Sequence, residues 1–531
     1  MRRTLTISAA GFTLLLFASM LLLTRQYGPD HVLSVWTMSV IAVFDAVLFI
    51  TPMFFLPPRL RRWMGLWFLF WPLLMWANSI YAIHFGNPIP ALNYFYHGGA
   101  GSFMTSAALA SMGAADWTLI SAAFALAAYT LVSGSAMSQE PRFTTKARLC
   151  CGITLATTFA ATTALSIRRE MKWDETLNLS EWLSNHWSEW IFNTKPSRCL
   201  QSGGFANYFV TTTTNLLKPR RHIGDDERAE ILRFFQDRTP ANTDSAFISN
   251  RGKNLVLIVV ESLNSEALVQ PWSREAAPTL TGLMADPDVI RALDVVPQTG
   301  PGRSSDGQFL YNTGLLPLYS EPFSIRFAHT DYPSLAKAVR PASSIEVIGE
   351  NAELYNHRAT SLSYGYGRLY DRVASDGWNL KADSVILASA SKLIAGLPQP
   401  FFAEITTLSM HQPYTKPDPE ATVTLPAGLP DGLVAYIHAL NRFDRALGKF
   451  LETLPDNTIT AIASDHDERV EGLSSNRIAF FIVGTGKGME ATETRRQADL
   501  FPTLLDVMGI ADYSPRHLNG VQYRGMGTGL F

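Results

Sequence analysis

Five long apolar runs open this chain, at residues 5–23, 32–56, 63–83, 117–132 and 149–167. Each is about long enough to cross a bilayer as a helix. Composition agrees with a chain that sits partly in lipid, since 47% of its 531 residues are hydrophobic and only 17% are charged. The first run reads as a span, not a cleaved leader, because no small-residue cleavage site follows it and another span comes at once. Basic residues set the orientation. Arg2 and Arg3 precede the first run, Arg59, Arg61 and Arg62 separate the second from the third, and Arg142, Lys146 and Arg148 precede the fifth. With these segments inside, five spans place the rest of the chain outside. Arg25, Arg168, Arg169 and Lys172 run against the rule.

The expected organisation is a transmembrane domain over 1–170, a linker over 171–200 and an extracytoplasmic domain over 201–531. In the linker, Leu179, Leu183, His186, Trp187, Trp190 and Ile191 repeat at helical spacing. That pattern fits a helix in the headgroup layer or an ordinary core-packing helix. The loop 87–113 is either extracellular or re-entrant. A net charge of −2 gives no reason to expect nucleic acid as a partner. Of the three cysteines, Cys150 and Cys151 fall in an apolar run, leaving Cys199 without a partner for a disulfide framework or a cysteine metal site.

Beyond the linker the pattern becomes α/β. Short β-branched runs at 254–260, 345–348, 401–406, 458–463 and 478–483 alternate with helical stretches at 225–237, 332–339, 384–397, 433–454 and 499–508. This predicts a mostly parallel sheet with helices on both faces, whose ligands bind beyond the C-terminal strand ends. At those ends stand Glu261, the pair Asp465-His466, and His411. A loop rich in glycine and proline, 298–309, carries Ser304 toward a helix start, where amide groups favour a bound anion. Glu261, Asp465 and His466 with the Ser304 oxygen make a mixed oxygen and nitrogen set suited to one Zn²⁺ or Mn²⁺. Arg303 either pairs with a phosphate or bridges to Asp306, which itself reads as a loop cap.

The order Val-Val-Glu-Ser-Leu at 259–263, Gly-Arg-Ser-Ser-Asp at 302–306, Ser-Met-His at 409–411 and Ser-Asp-His at 464–466 resembles lipoteichoic acid synthase. Gln-Ala-Asp-Leu-Phe-Pro-Thr-Leu-Leu-Asp at 497–506 is similar to a closing segment of its superfamily. The resemblance implies five spans joined to an extracellular domain of the alkaline phosphatase/sulfatase fold. It implies Ser304 as nucleophile, Glu261, Asp465 and His466 as metal ligands, and His411 in the substrate pocket. The family's Trp-Asn-Arg headgroup segment falls on Tyr355-Asn356-His357, with Arg358 next in line to replace the lost arginine. Serine stands where that family usually has threonine, and Asp467-Glu468 where it usually has glycine.

These residues together give an expected reaction. Ser304, activated by the metal, attacks the phosphorus of a membrane phospholipid, diacylglycerol leaves, and an acceptor hydroxyl then displaces the serine. His411 either moves protons or forms a polar lid. The donor headgroup is expected to be phosphoglycerol, with phosphoethanolamine the nearest alternative, and the acceptor an envelope glycan or glycolipid. The expected location is the bacterial cytoplasmic membrane with the catalytic domain outside. A hydrolase at the same site and a catalytically dead lipid-binding protein are the competing classes. No Cys/Ser-x-Pro/Ala-x-Arg sequence follows Ser304, which argues against a sulfate ester as substrate.

Overall fold

The computed structural model describes residues 2–24, 35–85, 88–89, 109, 111–133, 143–173, 200, 204–210, 212–213, 223–238, 245–318, 321–374, 382–412, 414 and 421–530. The tryptophan-rich segment, Cys199 and most of the loop at 87–113 lie outside them. The chain forms two compact units: Met1–Tyr96, Ala108–Pro219 and Leu318–Glu321, and His97–Ala107, Arg220–Pro317 and Pro322–Phe531.

The first unit holds helices at all five apolar runs: α1 (Arg2–Thr24), α2 (Val35–Ile50), α3 (Met64–Phe85), α4 (Ala114–Val132) and α5 (Thr145–Trp173). Among the described residues, three stretches are long and apolar enough to cross a membrane: Thr6–Leu23, Pro58–Ile83 and Ala114–Val132. Val40–Phe55 is apolar but shorter. Rings lock the helices together, with Phe12 stacked on Phe68 at 4.4 Å and Phe49 on Trp71 at 4.0 Å. Asp45, buried on α2, accepts hydrogen bonds from the Phe205 and Ala206 amides at 2.8 and 3.1 Å. Phe205 and Ala206 thus pack into this unit, their amides satisfied by a carboxylate as at a capped helix start.

The second unit is built on a nine-stranded sheet: β1 (Asn254–Val260), β2 (Ile290–Val296), β3 (Ser343–Ile348), β4 (Arg368–Tyr370), β5 (Phe401–Thr406), β6 (Thr458–Ser464), β7 (Ile478–Val483), β8 (Met489–Glu490) and β9 (Arg495–Arg496). The order is β4-β3-β5-β1-β6-β7-β2-β8, with β9 on β2. From β4 to β6 every pairing is parallel, and β7 runs antiparallel to both β6 and β2. All seven residues of β1 are buried, as expected of a central strand covered on both faces. Leu255, Leu257 and Val259 join one core with α6 (Asp225–Asp237), α7 (Ser304–Thr313) and α11 (Leu500–Val507). Val256, Ile258 and Val260 join the other with α9 (Ala382–Ile394) and α10 (Asp431–Leu451). One more helix, α8 (His357–Tyr364), leads into β4.

Candidate active site

The three central strands β5, β1 and β6 end side by side and deliver the candidate residues together. Glu261 follows β1, Asp465 and His466 follow β6, and all three are buried. One ligand atom from each lies within 4.8 Å of the others. Ser304 begins α7 and approaches the same point, its Oγ 3.2 Å from Glu261 Oε2 and 3.2 Å from His466 Nε2. The four residues expected to share a metal therefore converge.

Local sequence explains how Ser304 gets there. Arg303 has φ 45° and ψ −113°, so the chain makes a sharp, strained elbow before the helix. Asp306 Oδ2 braces that elbow by accepting from the Gly300 and Gly302 amides, each at 2.9 Å. A Cβ at Gly302 would lie 2.2 Å from Asp306 Oδ1, so only glycine fits. The expected role of Asp306 as a loop cap is the one it fills.

The ligands are held from behind. Asp465 Oδ1 accepts from the amides of Ser262 at 2.8 Å and His466 at 2.7 Å. Ser262 Oγ donates to Glu261 Oε1 at 2.6 Å, and the Glu261 amide donates to Thr407 Oγ1 at 2.9 Å. His466 Nδ1 lies 2.9 Å from the Asp467 carbonyl, which turns Nε2 toward the carboxylates. Asp465 Oδ2 is buried without a hydrogen-bond partner and 3.4 Å from that nitrogen.

Protons crowd this cluster. Burial and the charge of Glu261 push Asp465 up to about 7. Burial and Arg303 act to lower His466, but Asp465 and Glu261 outweigh them and raise it to about 9. Burial works to raise Glu261, yet His411, His466 and the Ser262 hydroxyl hold it well below the usual carboxylate range. A divalent cation would displace these protons and satisfy the bare Asp465 oxygen, so the donor set fits Zn²⁺ or Mn²⁺.

His411 sits on the loop after β5, half-buried, with Nδ1 2.6 Å from the Gln412 carbonyl. Asp383, near the start of α9, holds that loop by accepting from the amides of Leu408 at 2.6 Å and Ser409 at 3.0 Å. Asp383, Ser262 and Thr407 were not singled out from sequence. Only an acid in the first turn of a helix marked Asp383 in advance.

The basic residues expected at the headgroup are engaged elsewhere. Arg303 donates to the Asp467 carbonyl and to Glu468 Oε2, both at 2.8 Å, and not to Asp306. Glu468 in turn accepts from Gln412, on the His411 loop. The acidic pair Asp467-Glu468 is thus neutralised by Arg303, the residue next to Ser304. His357 is buried, its Nε2 2.6 Å from Glu346 Oε1. Arg358 is exposed and donates to Glu353 at 2.8 Å and Asp371 at 3.2 Å. Tyr355 and Asn356 both adopt left-handed backbone, φ 49° and 54°. Asn356 Nδ2 donates to the Ser324 carbonyl at 3.1 Å.

Residues 253–510 match the family model described as Sulfatase. That stretch is a sulfatase-type domain of the alkaline phosphatase/sulfatase superfamily, lipoteichoic acid synthase-like in sequence. The chain is 23% identical over 322 residues to the lipoteichoic acid synthase of Staphylococcus saprophyticus, covering 54% of this chain and 50% of that one. It is 24% identical over 322 residues to lipoteichoic acid synthase 2 of Bacillus subtilis, covering 53% and 48%. The chain thus spans about half the length of these relatives. Among solved structures, the lipoteichoic acid synthase LtaP from Listeria monocytogenes aligns with a TM-score of 0.47 and 18% identity over 56% of this chain and 81% of that one.

Proposed function

We propose that this chain transfers a phospho-headgroup, phosphoglycerol in preference, from a membrane phospholipid to an envelope glycan or glycolipid through a phosphoester on Ser304. The observation that carries this reading is the placement of Ser304 Oγ at 3.2 Å from both Glu261 and His466, on a strained elbow at the head of a helix. Glu261, Asp465, His466 and the Ser304 oxygen would hold one Mn²⁺ or Zn²⁺. When bound, the cation supplies Lewis acidity that eases loss of the serine proton.

The protein's own groups do the rest. Ser304 Oγ, its proton lost to solvent beforehand, attacks phosphorus and the bond to the diacylglycerol oxygen breaks, with a protonated His411 donating the proton that oxygen needs. The acceptor hydroxyl then attacks the phosphoserine, gives its proton to His411, and releases Ser304. His411 Nδ1 lies 2.6 Å from the Gln412 carbonyl, which fixes the ring on the loop after β5. This reading assigns Tyr355 and Asn356 to the donor headgroup. Arg303, His357 and Arg358 all pair with acids of the protein, so no bidentate phosphate clamp is supplied at this segment. That keeps phosphoethanolamine as the second reading of the donor. On this reading the apolar helices of the first unit anchor the chain in the cytoplasmic membrane and the catalytic domain works outside it, on a donor that stays in the bilayer.

Mass spectrometry of the full chain after exposure to mixed phospholipids tests the proposal. A headgroup mass on Ser304, absent from Ser304→Ala, is the expected result, and the mass identifies the headgroup. Transfer retained by Ser304→Ala removes the serine from the mechanism.

A further inference from the structure

Glu346 and Glu404 are register partners on the neighbouring parallel strands β3 and β5, and both are fully buried. Strands so paired lie about 4.8 Å apart, which sets the two carboxyl groups side by side on one face. Each carboxyl has one oxygen in use. Glu346 Oε1 takes His357 Nε2 at 2.6 Å. Glu404 Oε2 accepts from Tyr366 OH and Asn312 Nδ2, both at 2.6 Å. The other two oxygens, Glu346 Oε2 and Glu404 Oε1, are buried and make no hydrogen bond. Two buried carboxylates on adjacent register positions, each with an oxygen that makes no hydrogen bond, repel and lack solvation if both are ionised. A single proton on Glu404 Oε1, donated to Glu346 Oε2, satisfies both.

We propose that Glu346 and Glu404 share one proton, and that this acid–carboxylate pair positions the nucleophile helix and the 355–357 segment relative to each other. The positioning half rests on the functional reading above; the shared proton does not. The contacts run both ways from the pair. Toward the nucleophile, Asn312 on α7 is bonded to Glu404, and Gln308 one turn earlier donates to Thr406 Oγ1 at 2.6 Å. Toward the headgroup segment, Glu346 anchors His357, which pins the left-handed residues Tyr355 and Asn356 just before it. Asn356 then reaches the Ser324 carbonyl, and Ser324 Oγ lies 3.2 Å from Ser305 Oγ beside the nucleophile.

The titratable groups facing the pair agree with one proton. They are His357 on α8, Glu350 beyond the end of β3, and Tyr364 and Tyr366 before β4. Burial and the charge of Glu346 push Glu404 up to about 8. Burial acts to lower His357, but Glu346 outweighs it and raises the imidazole to about 9. Both directions favour a proton kept on His357 and on Glu404.

Infrared spectroscopy of the full chain reads the proton directly. The carbonyl stretch of a protonated carboxylic acid is expected at pH 7, lost in Glu404→Gln and lost in the wild type as pH rises through about 8. Headgroup-transfer kinetics read the positioning. Glu404→Ala and Glu346→Gln are each expected to raise KM about tenfold with a smaller effect on kcat, the scale of a lost buried hydrogen bond to a charged group. Glu404→Gln, whose amide donates and accepts as the acid does, is expected to restore KM. A spectrum unchanged by Glu404→Gln overturns the shared proton, as does a cation that stays bound at the pair after Glu261→Gln. A KM in Glu404→Gln as poor as in Glu404→Ala overturns the positioning role. The expected band in a wild type that transfers no headgroup leaves the shared proton standing and removes the functional reading.

Discussion

Gly307 shows how little room the site allows. A Cβ there would sit 2.2 Å from the Asp465 carbonyl oxygen, so the first turn of α7 rests directly on the backbone that carries Asp465 and His466. Gly307→Ala must part the two, and backbone cannot yield as a flexible side chain does. A displacement near 1 Å at a reacting group costs about a hundredfold in rate. That loss is expected in kcat, with circular dichroism unchanged. Glu261→Gln should instead act on the metal. Elemental analysis is expected to find one divalent cation per wild-type chain and markedly less in the variant, because a neutral amide replaces one of the two buried carboxylates. Which residues stand at the site was legible from strand ends and from short ordered motifs. What the basic residues touch was not, because Arg303, His357 and Arg358 take their partners from residues 346, 353, 371, 467 and 468, a choice that depends on three-dimensional proximity.

At the scale of elements, the runs read as strands at 254–260, 401–406 and 478–483 match β1, β5 and β7, and the helix at 225–237 matches α6. Central strands announce themselves by unbroken apolar runs. β2 escaped because its residues alternate between buried and partly exposed, with Arg291 and Asp294 interrupting the pattern. The reversed direction of β7 was also invisible, since a buried strand has the same composition in either sense. Strand neighbours matter for pH behaviour too. His357 and Glu404 both have folded-state values raised above their ordinary 6.5 and 4.5, to about 9 and about 8. Their contribution to stability is complete below those ordinary values and disappears as pH rises through the raised ones. Thermal unfolding of the wild type is expected to weaken from pH 7 to pH 10, and the Glu404→Gln variant to lose less over that interval. Equal slopes would count against a buried neutral Glu404.

For the whole molecule, tethering is the quantity to measure. A donor lipid in the same bilayer as the enzyme is met at an effective concentration set by the membrane, not by the bulk solution. Proteoliposomes are expected to consume donor from their own bilayer about a hundredfold faster than donor supplied in separate vesicles, the lower end of such gains. Equal rates would mean that the helices do not serve lipid access. The five apolar runs and the α/β alternation made both halves of the architecture legible before any coordinates. The return of residues beyond 200 to cap against Asp45 was not, because it pairs one acid with amides about 160 positions away.

The contact between Gly307 and the Asp465 carbonyl has a further implication for biogenesis. Ser304 and the residues 261, 465 and 466 lie on segments far apart in translation order, and the arrangement that joins them requires β6 paired with β1. Until then each is an ordinary side chain on an inert thread. Under the proposed function, a chain on its way across the membrane stays inert toward the surrounding lipids for as long as serine and acids remain apart.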